Sequence, residues 1–448
     1  MREKEIIKGF SKLSKEEKIK KVASYWPESE RIERDLKSFW HPDIQLQKTF
    51  DEFSENTISN FFFPYGIAPN VIINGKNYMI PMVIEESSVV AAASNSAKFW
   101  STRGGFHTRI IDKKKIGQVH FIFDGSYDLL IEHFEKLKKL FYDGTRDITE
   151  NMRNRGGGIL DIELVDMRHE IDDYYQIKAQ FDTIDSMGAN FINSCLEEFA
   201  DILKNYISDK GAFAGSNLHI IMSILSNYTP ECLVEAWVEC DIKDLEGLDP
   251  DISAEEFVWK FEKAVQVATV DPYRAATHNK GIFNGIDAVV LATGNDFRAV
   301  EACGHTYAAR DGKYRSLTSV EVNDDRFKFV LRVPLSLGTV GGLTKLHPLA
   351  RFTMELLGDP RAEDLMQIAA VSGLANNFGA LRSLTTKGIQ KGHMKMHLLN
   401  ILNNFGALET EKHAAIEFFK TRKVSFKAVA DFVEDIRKNK SRNLSSNI

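Results

Sequence analysis

The sequence predicts an α+β fold in which a large domain of mixed helices and strands is interrupted by a small β-α-β-β-α-β domain. Two observations predict this fold. The chain has 448 residues, which is too long for one ordinary hydrophobic core and indicates two or three domains. Alternating and helical hydrophobic patterns also follow one another in that order between Gln118 and Leu225, which is the order of a ferredoxin-like module.

The first hundred residues predict short helices and a strand. Ser14 and Glu17 form a Ser-x-x-Glu capping box, which marks the start of a charged helix. A strand is expected around Tyr78–Ile84 and a helix from about Ser88.

Residues 112–225 supply the predicted small domain, which is inserted into the large one. Its strands alternate apolar and polar residues, whereas its helices repeat apolar residues every three or four positions. In chain order the predicted elements are a strand at Gln118–Asp124, a helix at Tyr127–Phe141, strands at Ile159–Met167 and Tyr175–Asp185, a helix at Ala189–Ile207 and a strand at Asn217–Leu225.

The predicted large domain consists of residues 1–111 and 226–386. An apolar run that ends near Asp296 is interpreted as a buried strand. A further strand is expected near Lys328, entering a glycine-rich turn at Gly338–Gly342.

Residues 387–448 are predicted to form a small helical C-terminal flap. An amphipathic helix is expected near Ala414–Thr421. The basic tail from residue 437 is expected to fray.

The composition argues against several classes of function. A net charge of −6 disfavours general binding to nucleic acids or anionic membranes. The four cysteines include no CxxC pair, so neither a zinc site nor a disulfide framework is indicated. The N-terminus lacks the apolar core of a signal peptide, and no apolar stretch approaches the length of a membrane span. We therefore expect a cytoplasmic protein that does not bind membranes.

The segment Asp271–Phe283, DPYRAATHNKGIF, is the most informative part of the chain. It places Arg274 and Lys280 among small, polar and turn-forming residues, which we interpret as a loop. A buried core has little use for two such cations. A site for an anionic substrate and a developing oxyanion needs both a planar guanidinium and a compact ammonium group.

Eight short motifs are spread over most of the chain. They are ENTIS at Glu55–Ser59, EESSVVAAAS at Glu85–Ser94, RGGG at Arg155–Gly158, DSMGAN at Asp185–Asn190, DPYRAATHNKGI from Asp271, ATGND ending at Asp296, GTVGGLTKLHPLA from Gly338 and GIQKGHM from Gly388. In this order they resemble the 3-hydroxy-3-methylglutaryl-coenzyme A (HMG-CoA) reductases, specifically the class II form of bacteria.

The resemblance implies four catalytic residues for reducing a thioester to an alcohol with two hydrides. Lys280 would stabilise the oxyanion, and Glu86 would donate a proton to it. Asp296 would couple the two in one hydrogen-bonded network. His393 would protonate the departing thiolate of coenzyme A, a role that suits an imidazolium near neutral pH.

The resemblance also implies how the substrate is held. Arg274 would bind the distal carboxylate of the hydroxymethylglutaryl group, with Ser88 and Asn284 as hydrogen-bond partners. A purely structural role for Arg274 stays open. His393 and His397 are four residues apart and suggest a metal pair, but the HExxH glutamate and a third ligand are missing, so no metal site is predicted.

The cofactor site must differ from the common nucleotide-binding folds, because the chain contains neither GxGxxG after a strand nor a P-loop. DSMGAN fits such a site, since its small residues let backbone amides approach a pyrophosphate where a helix begins. The predicted cofactor-binding residues are Asp185, Met187, Gly188, Ala189, Asn190 and Asn227.

The choice between NADPH and NADH depends on the segment before RGGG. Thr149 with Arg153 or Arg155 could accept a 2′-phosphate, whereas Asp147 could bind the ribose of NADH. The arginines favour NADPH slightly.

The sequence therefore predicts an NAD(P)H-dependent enzyme that interconverts HMG-CoA and mevalonate plus coenzyme A. The alternative is a non-catalytic protein that has kept the reductase fold and binds coenzyme A or a dinucleotide. The resemblance further implies a homodimer or a trimer of dimers, with each active site shared between two chains.

Overall fold

The computed structural model of the protein describes residues 6–208, 211–386, 398–420, 422 and 424–445. These residues form a mixed α/β structure with antiparallel sheets. Among them, no helix is both long enough and apolar enough to cross a membrane.

The N-terminal segment forms three short helices after a 3₁₀ turn at Phe10–Lys12: α1 (Lys15–Ala23), α2 (Ser29–Ser38) and α3 (Ile44–Asp51). The predicted capping box is confirmed. The Glu17 amide donates to Ser14 Oγ at 3.3 Å, and the Ser14 amide donates to Glu17 Oε2 at 2.8 Å. Phe50 and Phe53 pack their rings on His347, which fixes α3 to the large domain.

A hairpin and a helix follow, as predicted. β1 (Tyr65–Ile73) pairs with β2 (Lys76–Val83), and α4 (Ser87–Trp100) begins shortly afterwards. Alanine and serine side chains let α4 lie close to α13 (Ala362–Thr385): a Cβ added to Gly379 would be 3.2 Å from Ser96 Oγ.

The second sheet has the antiparallel strand order β3-β8-β10-β9. Its strands are β3 (His107–Ile110), β8 (Leu233–Asp241), β9 (Thr318–Asn323) and β10 (Arg326–Pro334). The strand predicted near Lys328 is therefore confirmed. This sheet packs on α13 and α8 (Ala254–Val270), and their apolar side chains form one core with α4 and the hairpin.

The apolar run before Asp296 is a helix, so the predicted strand was wrong. Helix α9 (Pro272–Ala292) begins at Asp271, whose carboxylate accepts from the Tyr273 amide at 3.0 Å, and proline takes the first helical position. Because α9 includes Arg274, the segment interpreted as a loop is helical too. Helix α10 (Phe297–Ala308) then begins directly after Asp296.

The burial of α9 explains why its sequence was misleading. A continuous apolar run cannot be assigned to a strand or a helix by periodicity alone. Much of α9 is enclosed by neighbouring elements, so its C-terminal half lacks a broad polar face. Where α9 crosses α13, a Cβ added to Gly285 would lie 2.1 Å from the Ser372 carbonyl oxygen.

The third sheet has the antiparallel strand order β5-β6-β4-β7. Its strands are β4 (Lys115–Phe123), β5 (Gly158–Asp166), β6 (Tyr174–Asp182) and β7 (Leu218–Leu225), and its helices are α5 (Tyr127–Gly144), α6 (Arg146–Arg153) and α7 (Ala189–Ser208). The strands and helices predicted within residues 112–225 are all present, and α6 is an additional helix. Their buried side chains form a separate core.

The C-terminal part is helical. After α11 (Leu343–Leu346), α12 (Pro348–Leu356) and α13, the described chain resumes with helical residues 398–404, α14 (Glu409–Phe419) and α15 (Phe426–Ser445). The helix predicted near Ala414–Thr421 is present as α14. The expectation that the tail frays from residue 437 was wrong, because α15 continues to Ser445. A third apolar core joins these last helices.

Candidate active site

Two cations on α9 have no anionic partner among the described residues. Lys280 is exposed, whereas Arg274 is about half buried. Burial lowers the pKa of the Arg274 guanidinium, because desolvation disfavours its charged form. An arginine that is partly desolvated and not paired with a carboxylate is suited to an incoming anion.

Lys280 shares one face of α9 with Asn284 and Asp287. The three residues are spaced i, i+4 and i+7, and side chains at this spacing lie above one another on a helix. An ammonium group, a carboxamide and a carboxyl group therefore follow one another along this face. Arg274 lies in the first turns of the same helix.

Glu86 is the N-cap residue of α4, directly after the hairpin that packs against α9. Its carboxylate accepts a hydrogen bond from Ser88 Oγ at 2.8 Å. The structure therefore brings two predicted site residues together. Ser88 was predicted as a partner of the substrate, and within the described chain its hydroxyl donates to Glu86.

Asp296 is the N-cap residue of α10. Its carboxylate accepts from the Arg298 side chain at 3.0 and 2.9 Å and from the amides of Arg298 and Ala299 at 3.0 and 3.3 Å. The hydrogen bonds from Arg298 hold the pKa of Asp296 below its usual range. Asp296 is therefore a carboxylate at neutral pH.

The predicted network of Asp296 with Lys280 and Glu86 is not formed within the described chain. The reason is the helix itself: a rise of 1.5 Å per residue puts Lys280 about 18 Å from the end of α9 at Ala292, and Asp296 follows that end. Two side chains do not span that distance. The network was predicted from the family resemblance, and it stays a prediction for an assembly of more than one chain.

Sequence reasoning did not assign a role to the carboxyl pair of Asp287 and Glu301. Burial, together with the charge and hydrogen bonding of Glu301 on α10, raises the pKa of Asp287 to about 8. Asp287 Oδ1 is buried and has no hydrogen-bond partner among the described residues. The spacing from Lys280 would have placed Asp287 on the same face if the segment had been interpreted as a helix.

The DSMGAN segment is a turn between β6 and α7, and Asp185 fixes it to the large domain. Asp185 Oδ1 accepts from the Ala362 amide at 2.9 Å, at the start of α13. The Asp185 carbonyl accepts from the Thr339 amide at 2.8 Å. The Asp185 carboxylate, which was predicted to bind the cofactor, therefore connects the DSMGAN turn to the start of α13.

The remainder of this turn fits a dinucleotide phosphate. Within the described part of the chain, the amides of Met187 and Gly188 have no hydrogen-bond acceptor. They lie at the start of α7, a 20-residue helix whose N-terminus favours anions. A Cβ added to Gly338 would lie 2.5 Å from Met187 N, so glycine at position 338 permits the close approach of these two backbone segments.

Other predicted cofactor residues surround the same turn. Asn227 lines a small cavity together with Met187 and Lys115. Ala189 and Asn190 form the first turn of α7. Thr149, by contrast, is buried in α6 and its hydroxyl donates to the Thr145 carbonyl at 2.8 Å, so the predicted contact between Thr149 and a 2′-phosphate is wrong.

The two parts of the site are joined within one chain by Asn295. Its side chain donates to the Gly338 carbonyl at 3.0 Å and accepts from the Gly338 amide at 2.8 Å. Gly338 in turn contacts Met187. The segment containing Asp296 is thereby positioned beside the DSMGAN turn. His393 and His397, by contrast, lie outside the described residues.

Solved structures with the same architecture identify the class of protein. The chain matches a 3-hydroxy-3-methylglutaryl-coenzyme A reductase from Streptococcus pneumoniae with a TM-score of 0.70 and 32% identity, over 96% of this chain and 99% of that one. A class II enzyme of the same organism, bound to NADPH in open conformations, matches with a TM-score of 0.69 and 33% identity, over 84% and 99%. The protein is therefore an NAD(P)H-dependent oxidoreductase.

Sequence comparisons identify the family. The family model for hydroxymethylglutaryl-coenzyme A reductase matches residues 15–398. The reductase of Archaeoglobus fulgidus is 38% identical over 92% of this chain and 90% of its own length, and a probable reductase of Borreliella burgdorferi is 31% identical over 89% and 87%. The chain belongs to the hydroxymethylglutaryl-coenzyme A reductase family, in its class II form.

Proposed function

We propose that the protein reduces HMG-CoA to mevalonate and coenzyme A, and catalyses the reverse reaction, at a site that uses Lys280, Glu86, Asp296 and His393. The observation that carries this proposal is the pair of unpartnered cations on α9 in a chain of this family. A bound nicotinamide supplies one hydride in each half of the reaction. The residues of the chain hold the substrate and control its protons.

Lys280 stabilises the oxygen that gains negative charge when the thioester, and later the aldehyde, is reduced. An ammonium group interacts more strongly with an alkoxide when water is excluded than it does in solvent. Lys280 is exposed in a single chain, so the substrate or another chain must cover it.

Glu86 donates a proton to the same oxygen. Ser88 Oγ holds the Glu86 carboxyl group in place, and a hydroxyl that donates one hydrogen bond can still accept another. Ser88 can therefore accept a hydrogen bond from the substrate while it orients Glu86. Asp296 stays ionised and is the anion that attracts Lys280.

Arg274 binds the distal carboxylate of the substrate. Its guanidinium offers two parallel hydrogen bonds, and the partial burial of Arg274 strengthens them. Asn284, which lies beside Lys280 on α9, supplies a further hydrogen bond to the substrate.

The cofactor binds at the turn before α7, through the amides of Met187 and Gly188 together with Ala189, Asn190 and Asn227. Asp185 contributes by fixing this turn. NADPH is preferred, because Arg153 and Arg155 are exposed near the RGGG turn and can contact a 2′-phosphate.

A nicotinamide absorbance assay with HMG-CoA tests both the reaction and the preference. We expect oxidation of two nicotinamide equivalents per thioester and a higher kcat/KM with NADPH. A ratio that favours NADH by about tenfold, or about 1.4 kcal/mol, would contradict the arginine assignment and favour the exposed Asp147 as a ribose contact. No oxidation of either coenzyme would contradict the proposed reaction.

Three modules support this chemistry: a large domain at 1–111 and 226–386, a ferredoxin-like domain at 112–225 and a flap at 387–448 that carries His393. Three separate apolar cores support the division. The sheet order β5-β6-β4-β7 supports the ferredoxin-like assignment, because it equals 2-3-1-4 when its strands are numbered within the module.

The active site is shared between two copies of the chain, in a homodimer or a trimer of dimers. The separation of about 18 Å between Lys280 and the end of α9 supports this, since Lys280 and Asp296 form no contact within the described chain and an Asp296 of another chain could supply that contact. Exposed aromatic side chains at Phe61, Phe62 and Tyr273 offer apolar surface for such contacts.

Mixing two inactive variants tests the shared site. Lys280→Met and Gly188→Val each inactivate a different half of the site, so mixed oligomers should regain part of the activity. Separately purified variants at the same total concentration are the control. Mixed oligomers without any activity would contradict a shared site.

A further inference from the structure

The turn before α7 has a strained backbone. Ile184 adopts a left-handed conformation with φ of 52°, which is rare for a β-branched residue. Gly188 has φ of 90°, and a Cβ added to it would lie 2.4 Å from Thr183 Cγ2. Such a conformation persists only when the surrounding contacts determine it, and strain of this kind concentrates at ligand-binding sites.

A buried lysine supplies those contacts. Lys115, at the start of β4, is only 5% exposed. Its Nζ donates to Thr183 Oγ1 at 2.6 Å, to the Ser186 carbonyl at 2.7 Å and to the Met187 carbonyl at 3.2 Å. All three acceptors belong to the turn.

Among the described residues, the carboxylates whose charges act on Lys115 are those of Asp182 and Asp185, and neither forms an ion pair with it. Lys115 forms no ion pair with any residue in the described ranges, and burial lowers the pKa of its ammonium group. A buried cation without a contacting carboxylate is costly, and a structural role alone could be filled by a neutral donor. The position of this charge therefore indicates an anion on the other side of the turn.

The geometry of the peptide bond shows which groups of the turn point away from Lys115. In a trans peptide the carbonyl and the following N–H point in opposite directions. Because Lys115 binds the carbonyls of Ser186 and Met187, the amides of Met187 and Gly188 point away from it. These are the amides that lack an acceptor within the described part of the chain.

We propose that Lys115 is a positioning residue for the cofactor: its buried ammonium binds the turn's carbonyls, aims the Met187 and Gly188 amides at the cofactor pyrophosphate and adds positive charge behind them. The role of Lys115 rests on the proposed cofactor site. Thr183 takes part, because its hydroxyl accepts from Lys115 and donates to the Ser186 carbonyl at 2.6 Å. The charge also adds to the positive end of α7.

The test compares Lys115→Met with Lys114→Met. Methionine keeps the length of the side chain but removes the charge and all three hydrogen bonds. Lys114 is the matched control, because it is the adjacent lysine and its Nζ contacts Asp112 at 2.9 Å rather than the turn. For Lys115→Met we expect KM for NADPH to rise about tenfold or more, while KM for HMG-CoA and kcat at saturating NADPH stay within about twofold.

Binding of ADP-ribose separates positioning from general damage. This ligand has the pyrophosphate but no nicotinamide, so its Kd should rise in Lys115→Met by about the same factor as KM for NADPH. If Lys115→Met does not fold, Thr183→Val provides the same test, since it removes the hydroxyl that joins Lys115 to Ser186 and should also raise KM for NADPH selectively.

Unchanged NADPH and ADP-ribose affinities, or equal losses for HMG-CoA and NADPH, would overturn the role of Lys115 while leaving the proposed function intact. If the wild type itself binds no NADPH, the proposed function fails and the role of Lys115 fails with it.

Discussion

Positive charge is used differently in the two halves of the site. On α9, Arg274 and Lys280 have no anionic partner among the described residues, and Lys280 is exposed to solvent. Beneath the turn before α7, Lys115 is buried, and its hydrogen bonds within the described residues go to two backbone carbonyls and the Thr183 hydroxyl of that turn. Cations that await a ligand should control catalysis and substrate affinity directly, whereas a cation that shapes the backbone should act only through the groups it positions.

Replacing Lys280 should have the largest effect. Lys280→Met should lower kcat by at least about 10²–10³-fold for both HMG-CoA and added mevaldehyde, because each half of the reaction develops charge on the same oxygen. Steady-state assays with the two substrates measure this. Lys263→Met is the control, since Lys263 is an exposed helical lysine whose Nζ donates to Gln266. If Lys280→Met still reduces mevaldehyde at the wild-type rate, Lys280 does not act in the second half of the reaction.

Replacing His393 should slow the first half of the reaction much more than the second. His393→Gln should slow thioester reduction by about 10²–10⁴-fold, the usual contribution of a general acid, and largely spare mevaldehyde reduction, which releases no thiolate. His397→Gln provides a nearby comparison. Equal losses with both substrates would show that His393 supports the flap rather than protonating coenzyme A.

Substitutions of Arg274 should change substrate affinity more than turnover. Arg274→Lys keeps the charge but loses the bidentate geometry, so KM for HMG-CoA should rise about tenfold, and Arg274→Gln should raise it about 100-fold. KM for NADPH should stay constant in both variants. Equal KM values for the lysine and glutamine variants would contradict carboxylate binding by the guanidinium.

The last prediction concerns stability, not turnover, at the carboxyl pair. The pKa of Asp287 is raised from 3.8 to about 8 by burial, so between these values the folded protein holds a proton that the unfolded chain has lost. The free energy of unfolding should therefore fall as pH rises through this window, by up to about 1.4 kcal/mol per pH unit.

Thermal melts of Asp287→Asn at several pH values test this assignment. Asparagine cannot ionise, so the variant should lose most of the decline in Tm and exceed the wild type near pH 8. Asp201→Asn, at an exposed position on α7, should follow the wild-type profile. Parallel pH profiles for wild type and Asp287→Asn would contradict a raised pKa for Asp287.

The sequence by itself determined the family, the order of elements in residues 112–225 and the capping box at Ser14. These features depend on local patterns: strands alternate, amphipathic helices repeat, and a capping box lies within four residues. The motifs also singled out Arg274, Lys280 and the DSMGAN turn as candidate parts of the site, through their resemblance to the reductase family.

Only the tertiary structure decided the conformation of α9 and the partners of the charged groups. α9 is enclosed by other elements, so its apolar residues no longer show a helical stripe, and its length is what separates Lys280 from Asp296. Lys115 and the Asp287–Glu301 pair carry no motif. Their roles arise from burial and from contacts between residues far apart in the chain, and burial and long-range contacts are set by packing rather than by local sequence.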